Sequence, residues 1–148
     1  MKQCTKCKQV KEKSQFHSSR RNKDGLRYTC LACENEYMKH YLNETGQGRY
    51  RRLKENASKD KAPIEITKDD FVKWFNTQER KCFYCKVDLE FVYGRHWQWD
   101  GLTIDRLNPN GAYAINNIVF CCRRCNIIKG SWFTQDQMLE IAIKYLRG

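Results

Sequence analysis

Apolar side chains follow helical spacing just after the middle of the chain. Phe71, Trp74 and Phe75 stand at i, i+3 and i+4, the spacing that places three side chains on one helix face. Thr67 precedes this stripe and has an acidic residue three positions on, which is typical of a helix start. The pattern predicts a short amphipathic helix over residues 68–78 that packs on a neighbouring module through its aromatic face.

A second helical stripe closes the chain. Thr134 is a good N-cap residue, and Met138, Ile141, Ala142 and Tyr145 follow it at helical spacing. The sequence therefore predicts a closing helix with these four side chains on its buried face.

Two short β-type runs stand between these helices. Residues 103–106 (TIDR) and 118–121 (IVFC) are rich in β-branched residues, and NPNG at 108–111 supplies turn residues between them. From Arg123 onward the pattern becomes helical. The region is predicted to fold as strand, loop, strand and helix.

Residues 34–62 carry little periodic apolar content. ENEYMKHYLNE predicts a helix, Gly46 and Gly48 interrupt it, and RYRRLKENASKDK predicts a second helix that is strongly basic. We interpret this segment as a basic helical arm rather than part of a core.

Nine cysteines are many for 148 residues, and eight of them form four C-x2-C pairs. The pairs are Cys4/Cys7, Cys30/Cys33, Cys82/Cys85 and Cys122/Cys125. Because the N-terminus lacks the apolar stretch of a signal peptide, metal binding is favoured over disulfides, and four pairs argue against a redox C-x-x-C. Each half of the chain is expected to hold one tetrahedral, structural zinc ion. Cys121 is left over and is expected to be a buried thiol facing away from Cys122.

The chain carries a formal net charge of +11, and the excess is uneven. Residues 1–62 hold 16 basic and 7 acidic side chains, which favours a polyanion such as nucleic acid, although solvated surface charge is the alternative. Candidate DNA contacts are Arg20, Arg21, Lys23 and Arg27 on the loop between the first two Cys pairs, and Arg49, Arg51, Arg52 and Lys54 on the basic helix. No apolar run approaches membrane-spanning length, so a cytoplasmic, non-secreted protein is expected.

Oxygen-bearing side chains stand at the ends of the predicted strands. Asp105 ends the first strand and Asn126 lies on the first turn of the following helix, so their oxygens can meet one hard divalent cation such as Mg²⁺ or Mn²⁺. Such an ion would stabilise the phosphate and leaving oxyanion in phosphodiester hydrolysis. Asn117 begins the second strand, where its amide can orient the loop.

These residues resemble the HNH (ββα-metal, His-Me finger) endonuclease family, whose zinc-bound members read C-x2-C, then D-H, then a stretch ending in Asn, then C-x2-C-N-x-x-K. The resemblance implies that Asp105 and Asn126 bind the catalytic metal, that Asn117 is the middle Asn, and that Lys129 lies near a phosphate. CTKCKQVKEKSQF and YTCLACENEY also resemble the N-terminal knuckle of small phage-type HNH proteins. The chain is similar to the branch that reads D-R rather than D-H, which includes rare-cutting restriction enzymes.

This reading gives a small, zinc-stabilised α+β protein in three parts. Residues 1–33 are expected to form a zinc knuckle, residues 34–62 the basic arm, and residues 63–148 the ββα-metal nuclease domain with its own zinc site and flanking helices. The resemblance implies a site of action in the cytoplasm of a bacterium or a phage-infected host.

Arg106 stands where the family has the histidine that activates water. A guanidinium does not deprotonate in proteins, so Arg106 is assigned to the scissile phosphate rather than to the base. Tyr113 on the loop between the strands is the first candidate for the base, with a pKa lowered by the metal and the guanidinium, and the D-R branch supports it. His96 is the second candidate.

Two functions fit the sequence. The first is a divalent-metal-dependent, site-specific DNA endonuclease of the homing, mobile-element or restriction type, acting on double-stranded DNA. The second is a catalytically silent, repressor-like DNA-binding protein on an HNH scaffold. A palindromic cutter would need a homodimer, and a monomeric nickase is equally consistent with the sequence.

Overall fold

The computed structural model describes residues 1–93 and 98–146 and divides the chain into two compact units, Met1–Tyr41 and Leu42–Gly148. This division differs from the three parts expected from the sequence. The basic segment does not stand apart, because most of it belongs to the second unit.

The first unit is built around a four-sulfur cluster. Strands β1 (Lys2–Gln3) and β2 (Val10–Lys11) pair antiparallel, and a 3-10 turn follows at Lys13–Gln15. Helix α1 (Leu31–Glu44) begins directly after Cys30 and contains Cys33 in its first turn. The sulfur of Cys4 lies 3.9 Å from that of Cys33, and the sulfur of Cys7 lies 4.0 Å from that of Cys30. Sulfurs around a tetrahedral zinc ion are about 3.8 Å apart, because each Zn–S bond is about 2.3 Å. The cluster therefore fits zinc.

Helix α2 (Gly46–Asp60) begins at Thr45, whose hydroxyl accepts a hydrogen bond from the Gly48 amide at 3.0 Å. The sequence predicted that Gly46 and Gly48 interrupt a helix. The interruption is the N-cap of α2, and both glycines lie in the first turn of that helix. A Cβ on Gly46 would come within 3.1 Å of the Val72 backbone, so glycine allows this helix to approach its neighbour closely.

The sequence analysis interpreted this segment as an arm rather than part of a core, but α2 contributes to the core of the second unit. Leu53 and Ala57 are buried in the main core of the second unit, and Tyr50 packs against that core. Two apolar positions one turn apart are enough to seat one face of a charged helix, and they are too few to stand out as a periodic stripe.

Helix α3 (Lys68–Thr77) confirms the predicted aromatic face. Thr67 accepts a hydrogen bond from the Asp70 amide at 3.2 Å. Phe71 and Phe75 are buried, and the rings of Trp74 and Phe75 meet Phe120 edge to face at 5.0 and 5.2 Å between centroids.

Strands β3 (Leu102–Arg106) and β4 (Ile118–Cys122) pair antiparallel, with Asp105 opposite Val119 and Arg106 opposite Ile118. Helix α4 (Arg123–Lys129) starts directly at the end of β4. The predicted strand, loop, strand and helix are present.

The chain ends in helix α5 (Gln135–Ile141), which has a full capping box at Thr134, followed by a π-helical turn over Ala142–Leu146. Met138 and Ala142 are completely buried as predicted, but Tyr145 is 68% exposed. The wider π turn rotates the residues after Ala142, which takes Tyr145 out of the stripe.

The second four-sulfur cluster joins Cys82 and Cys85 to Cys122 and Cys125, all of them buried. The sulfur of Cys122 also accepts a hydrogen bond from the Cys125 amide at 3.3 Å and so caps α4. Cys121 is fully buried beside the cluster, and burial raises the pKa of its thiol, as expected for a cysteine that stays protonated. The mixed α+β fold with two Cys4 sites is confirmed.

Among the residues that the structure describes, none of the helices combines the length and the apolar character needed to cross a membrane.

Adjacent cysteines allow a direct test of the second cluster. Cys122→Ala removes one sulfur and should reduce bound zinc from two ions to one per chain, whereas Cys121→Ala should keep both. Because a structural zinc ion contributes on the order of 10 kcal/mol to folding, Cys122→Ala should also lose cooperative unfolding of the second unit. Metal analysis of the purified proteins and thermal melts by circular dichroism measure both effects. Two zinc ions in Cys122→Ala would contradict this ligand set.

Candidate functional site

A cavity of about 470 Å³ opens where β3 ends. It brings together side chains that are far apart in the sequence, from α2, from β3 and its loop, and from α4. Its lining includes Asn56, Lys59, Asp60, Asp105, Arg106, Tyr113 and Asn126. We call it the metal cavity, because it contains the two predicted ligands of a divalent cation.

Asp105 is 6% exposed and is held from inside the protein by two side chains. The hydroxyl of Tyr84 donates to its Oδ2 at 2.7 Å, and the ammonium of Lys129 lies 3.3 Å from Oδ1 and 3.2 Å from Oδ2. Burial raises the pKa of Asp105, while the hydrogen bonds from Tyr84 and Lys129 act in the opposite direction. The carboxylate is therefore fixed in position and its charge is balanced.

Lys129 is not where the sequence placed it. The resemblance put this side chain near a phosphate, but it is completely buried, and its ammonium also donates to the Arg106 carbonyl at 2.7 Å. It is thus an internal partner of Asp105 rather than a DNA contact.

Asn126 shares the metal cavity with Asp105. Its amide nitrogen donates to the Thr103 hydroxyl at 3.0 Å, which fixes the orientation of the side chain. A carboxylate has about four acceptor positions, so the contacts with Tyr84 and Lys129 leave room for a further ligand bond. One carboxylate and one amide oxygen in a polar cavity fit a hard cation such as Mg²⁺ or Mn²⁺.

Arg106 enters the same cavity and is held on three sides. Its Nη1 donates to the Gly111 carbonyl at 2.8 Å, its guanidinium lies 4.8 Å from the centroid of the Tyr113 ring, and its Nη2 is 3.8 Å from the Asp60 carboxylate. The guanidinium is thus held in one orientation in the cavity that Asp105 also lines.

Tyr113 lines the metal cavity but is only 7% exposed. Burial raises its pKa, Asp60 and Asp105 raise it further, and only Arg106 lowers it. Arg106 therefore acts in the expected direction, and burial acts against it more strongly. The Asp60 carboxylate lines the same cavity and is near enough to raise the pKa of Tyr113, which the sequence analysis did not anticipate.

Asn117 ends a 3-10 turn, Ile115–Asn117, immediately before β4 and closes the loop after β3. Its Oδ1 accepts from the Asn108 amide at 2.9 Å, and its Nδ2 donates to the carbonyls of Asn108 and Ala112 at 3.1 and 2.8 Å. A Cβ on Gly111 would lie 2.8 Å from Nδ2, so only glycine fits under this amide. These contacts give Asn117 the loop-orienting position that the sequence indicated.

His96, the second candidate for the base, lies outside the described residues.

Most of the predicted DNA contacts are exposed. In the first unit these are Arg20, Arg21, Lys23 and Arg27, and in the second unit Arg51, Arg52 and Lys54. Arg49 is the exception, because it is only 7% exposed and its Nε and Nη1 donate to the carbonyls of Asn43 and Leu102 at 2.6 and 2.9 Å. It belongs to the interior of the second unit rather than to an outer face of α2.

Tyr84 and Asp60 are site residues that the sequence analysis missed. Tyr84 lies between the two cysteines of the C-F-Y-C pair, which was interpreted only as a zinc-binding motif. Asp60 lies on the segment that was interpreted as an arm. The sequence signal for Tyr84 is its position beside a zinc ligand that is expected to be buried. A tyrosine hydroxyl buried there needs a hydrogen-bond partner.

No protein-family model matches the chain, and no curated protein does. A solved structure of the rare-cutting HNH restriction endonuclease PacI aligns over 96% of this chain and 91% of that chain, with a TM-score of 0.53 and 21% sequence identity. The two chains share a fold. The fold-level resemblance predicted from the Cys pairs and the D-R segment, including its two Cys4 sites, is thereby confirmed.

Removing the Tyr84 hydroxyl tests the buried network around Asp105. Tyr84→Phe should lower the free energy of unfolding by about 1.5–3 kcal/mol, because it deletes a hydrogen bond to a buried carboxylate. Tyr50→Phe is the matched control, since the Tyr50 hydroxyl donates to the neutral Ile66 carbonyl at 3.1 Å and should be worth about 0.5–1.5 kcal/mol. Urea unfolding of the zinc-loaded proteins measures both. Equal losses would show that the contact with Asp105 carries no added stabilisation.

Proposed function

We propose that this protein is a divalent-metal-dependent DNA endonuclease that hydrolyses phosphodiester bonds at specific sites. The observation that carries the proposal is the meeting of Asp105, Asn126 and Arg106 in one cavity at the β3, β4 and α4 element. The shared fold with an HNH restriction endonuclease supports it.

Asp105 and Asn126 would hold the cation. When bound, a divalent cation polarises the scissile phosphate and stabilises the oxyanion that leaves. Tyr84 and Lys129 keep the Asp105 carboxylate aimed into the metal cavity. Since both partners are buried, the ligand is preorganised before substrate arrives.

Arg106 would bind the scissile phosphate. A guanidinium carries five N–H donors, and the hydrogen bond to the Gly111 carbonyl uses one of them. The charge remains positive throughout the reaction, so it stabilises the negative charge that develops on the phosphate.

Tyr113 and Asp60 would take the proton from water together. Because burial raises the pKa of Tyr113, a free tyrosinate is disfavoured. A relay avoids it: as the Tyr113 hydroxyl gives its proton to the Asp60 carboxylate, its oxygen accepts a proton from the attacking water. The water then becomes the hydroxide that forms the new P–O bond. In this assignment Tyr113 remains the base, and the Asp60 carboxylate accepts its proton.

Double-stranded DNA is the proposed substrate, with the exposed basic residues of both units supplying phosphate contacts. A homing, mobile-element or restriction role, in a bacterial or phage-infected cell, fits a site-specific cutter of this kind. A double-strand break at a palindrome would require a homodimer.

A silent DNA-binding protein is the second candidate. The observation that favours it is the ion pair between Lys129 and Asp105, since it already balances the carboxylate charge without a metal. The two candidates differ in one measurable property, which is cleavage.

Incubation of the zinc-loaded protein with plasmid DNA, with and without Mg²⁺ or Mn²⁺, should show nicking or linearisation only with the cation. Asp105→Asn should abolish cleavage because it removes the charged ligand, whereas Asp88→Asn, at a side chain 86% exposed, should cut normally. Asp105→Ala is the poorer test, because it also removes the oxygen that accepts hydrogen bonds from the buried Tyr84 and Lys129 side chains. Binding without cleavage under every divalent cation would favour the silent protein.

Tyr113→Phe and Asp60→Asn test the proton relay. Each should lower the cleavage rate by about 10²–10⁴-fold while DNA affinity stays at the wild-type level, because general base catalysis contributes that much. Single-turnover cleavage and a binding titration without divalent cation measure the two quantities. If Tyr113→Phe cuts at the wild-type rate, the relay is wrong and His96 or bulk water takes its place.

A further inference from the structure

A second cavity, of about 550 Å³, lies in the Leu42–Gly148 unit and contains a cluster of arginines. Arg49, Arg52 and Arg123 line it, together with the amides of Asn43, Asn56 and Asn126. We call it the arginine cavity. No Asp or Glu is among the described residues of its lining, so three positive charges meet there without a carboxylate in the wall.

Arg49 is the most buried of the three, and its hydrogen bonds do not neutralise it. Both of its hydrogen-bond acceptors are backbone carbonyls, and its guanidinium lies 5.8 Å from the centroid of the Phe91 ring. Burial, and after it the nearby Arg52, lowers the pKa of Arg49 to about 10. Arg49 therefore stays charged at neutral pH although it is out of water, an arrangement that is unfavourable without a counter-charge.

Arg52 is held at the same cavity by a neutral partner. Its Nη1 donates to the Asn43 Oδ1 at 2.8 Å, which directs the guanidinium without cancelling its charge. Like charges held close together repel one another, so the arrangement stores unfavourable energy that an anion would relieve.

The arginine cavity adjoins the metal cavity. Asn56, Ile104, Tyr113 and Asn126 line both. An anion bound among the arginines would therefore lie beside the scissile phosphate that is proposed to bind in the metal cavity. Repeated anionic groups joined along one chain are the chemistry of a nucleic acid backbone.

We propose that the arginine cavity binds a second backbone phosphate of the DNA strand whose scissile phosphate occupies the metal cavity. The identity of that strand rests on the proposed function, whereas anion binding by the arginines does not. Phosphate contacts of this type set the register of a strand without reading its sequence.

The salt dependence of DNA binding tests the proposal, and α3 offers a control. Lys73 is exposed and lines neither cavity. Binding of a fluorescein-labelled 30-base-pair duplex is measured by anisotropy over a range of salt concentrations, without added divalent cation so that no cleavage occurs. Arg52→Gln and Arg123→Gln should each reduce the slope of log K against log salt by about 0.9, the value for one lost phosphate contact.

Lys73→Gln, which removes the same charge, should change that slope by clearly less. Equal slopes for Arg52→Gln and Lys73→Gln would overturn the proposal. Arg49 is not mutated in this test, because its interior hydrogen bonds make loss of folding the expected result.

A second measurement separates a DNA phosphate from a free anion. Thermal melts are compared for wild type and Arg52→Gln with inorganic phosphate or with the unlabelled duplex. Stabilisation that depends on Arg52 with duplex supports the proposal, and stabilisation by inorganic phosphate with an unchanged DNA salt slope would overturn it. If the slopes differ as expected but no divalent cation supports cleavage, the nuclease function fails and the phosphate site stands.

Discussion

The four-sulfur cluster of Cys82, Cys85, Cys122 and Cys125 is the constraint on which the second unit depends. It ties the knuckle before β3 to the junction of β4 and α4, and a sulfur of the cluster caps α4. The knuckle also contains Tyr84, whose hydroxyl reaches Asp105. Formation of the cluster therefore sets the strand pair, the start of the helix and the aim of the carboxylate together. In a unit with so short a sheet, few other contacts could fix all three.

Local chemistry explains what the sequence could predict. The C-x2-C pairs, the Thr67 and Thr134 caps and the β-branched runs around the NPNG turn each specify their structure within a few residues. The D-R segment and its surroundings then indicated the fold that the comparison with PacI confirmed. The meeting of Asp105 with Asn126 follows from the same local order, because strand, strand and helix succeed one another directly.

Burial and long-range pairing explain what could not be predicted. Arg49 and Lys129 have the residue types of DNA contacts, and nothing in their sequence neighbourhood shows that packing takes them inside. Asp60 and Tyr113 are 53 positions apart, so their meeting in one cavity depends on how α2 packs against the strand pair. The raised pKa of Tyr113 is likewise caused by burial, which the sequence around Tyr113 does not show.

The position of Lys129 beneath Asp105 bears on how the protein is made. A buried carboxylate without a counter-charge would make folding depend on the cation proposed to bind it, but here the Lys129 ammonium supplies the positive charge. Folding and recruitment of that ion are consequently separate equilibria. Once its structural zinc is bound, the unit can stay folded without the cation proposed for the metal cavity, so the supply of that second cation alone would control the proposed chemistry.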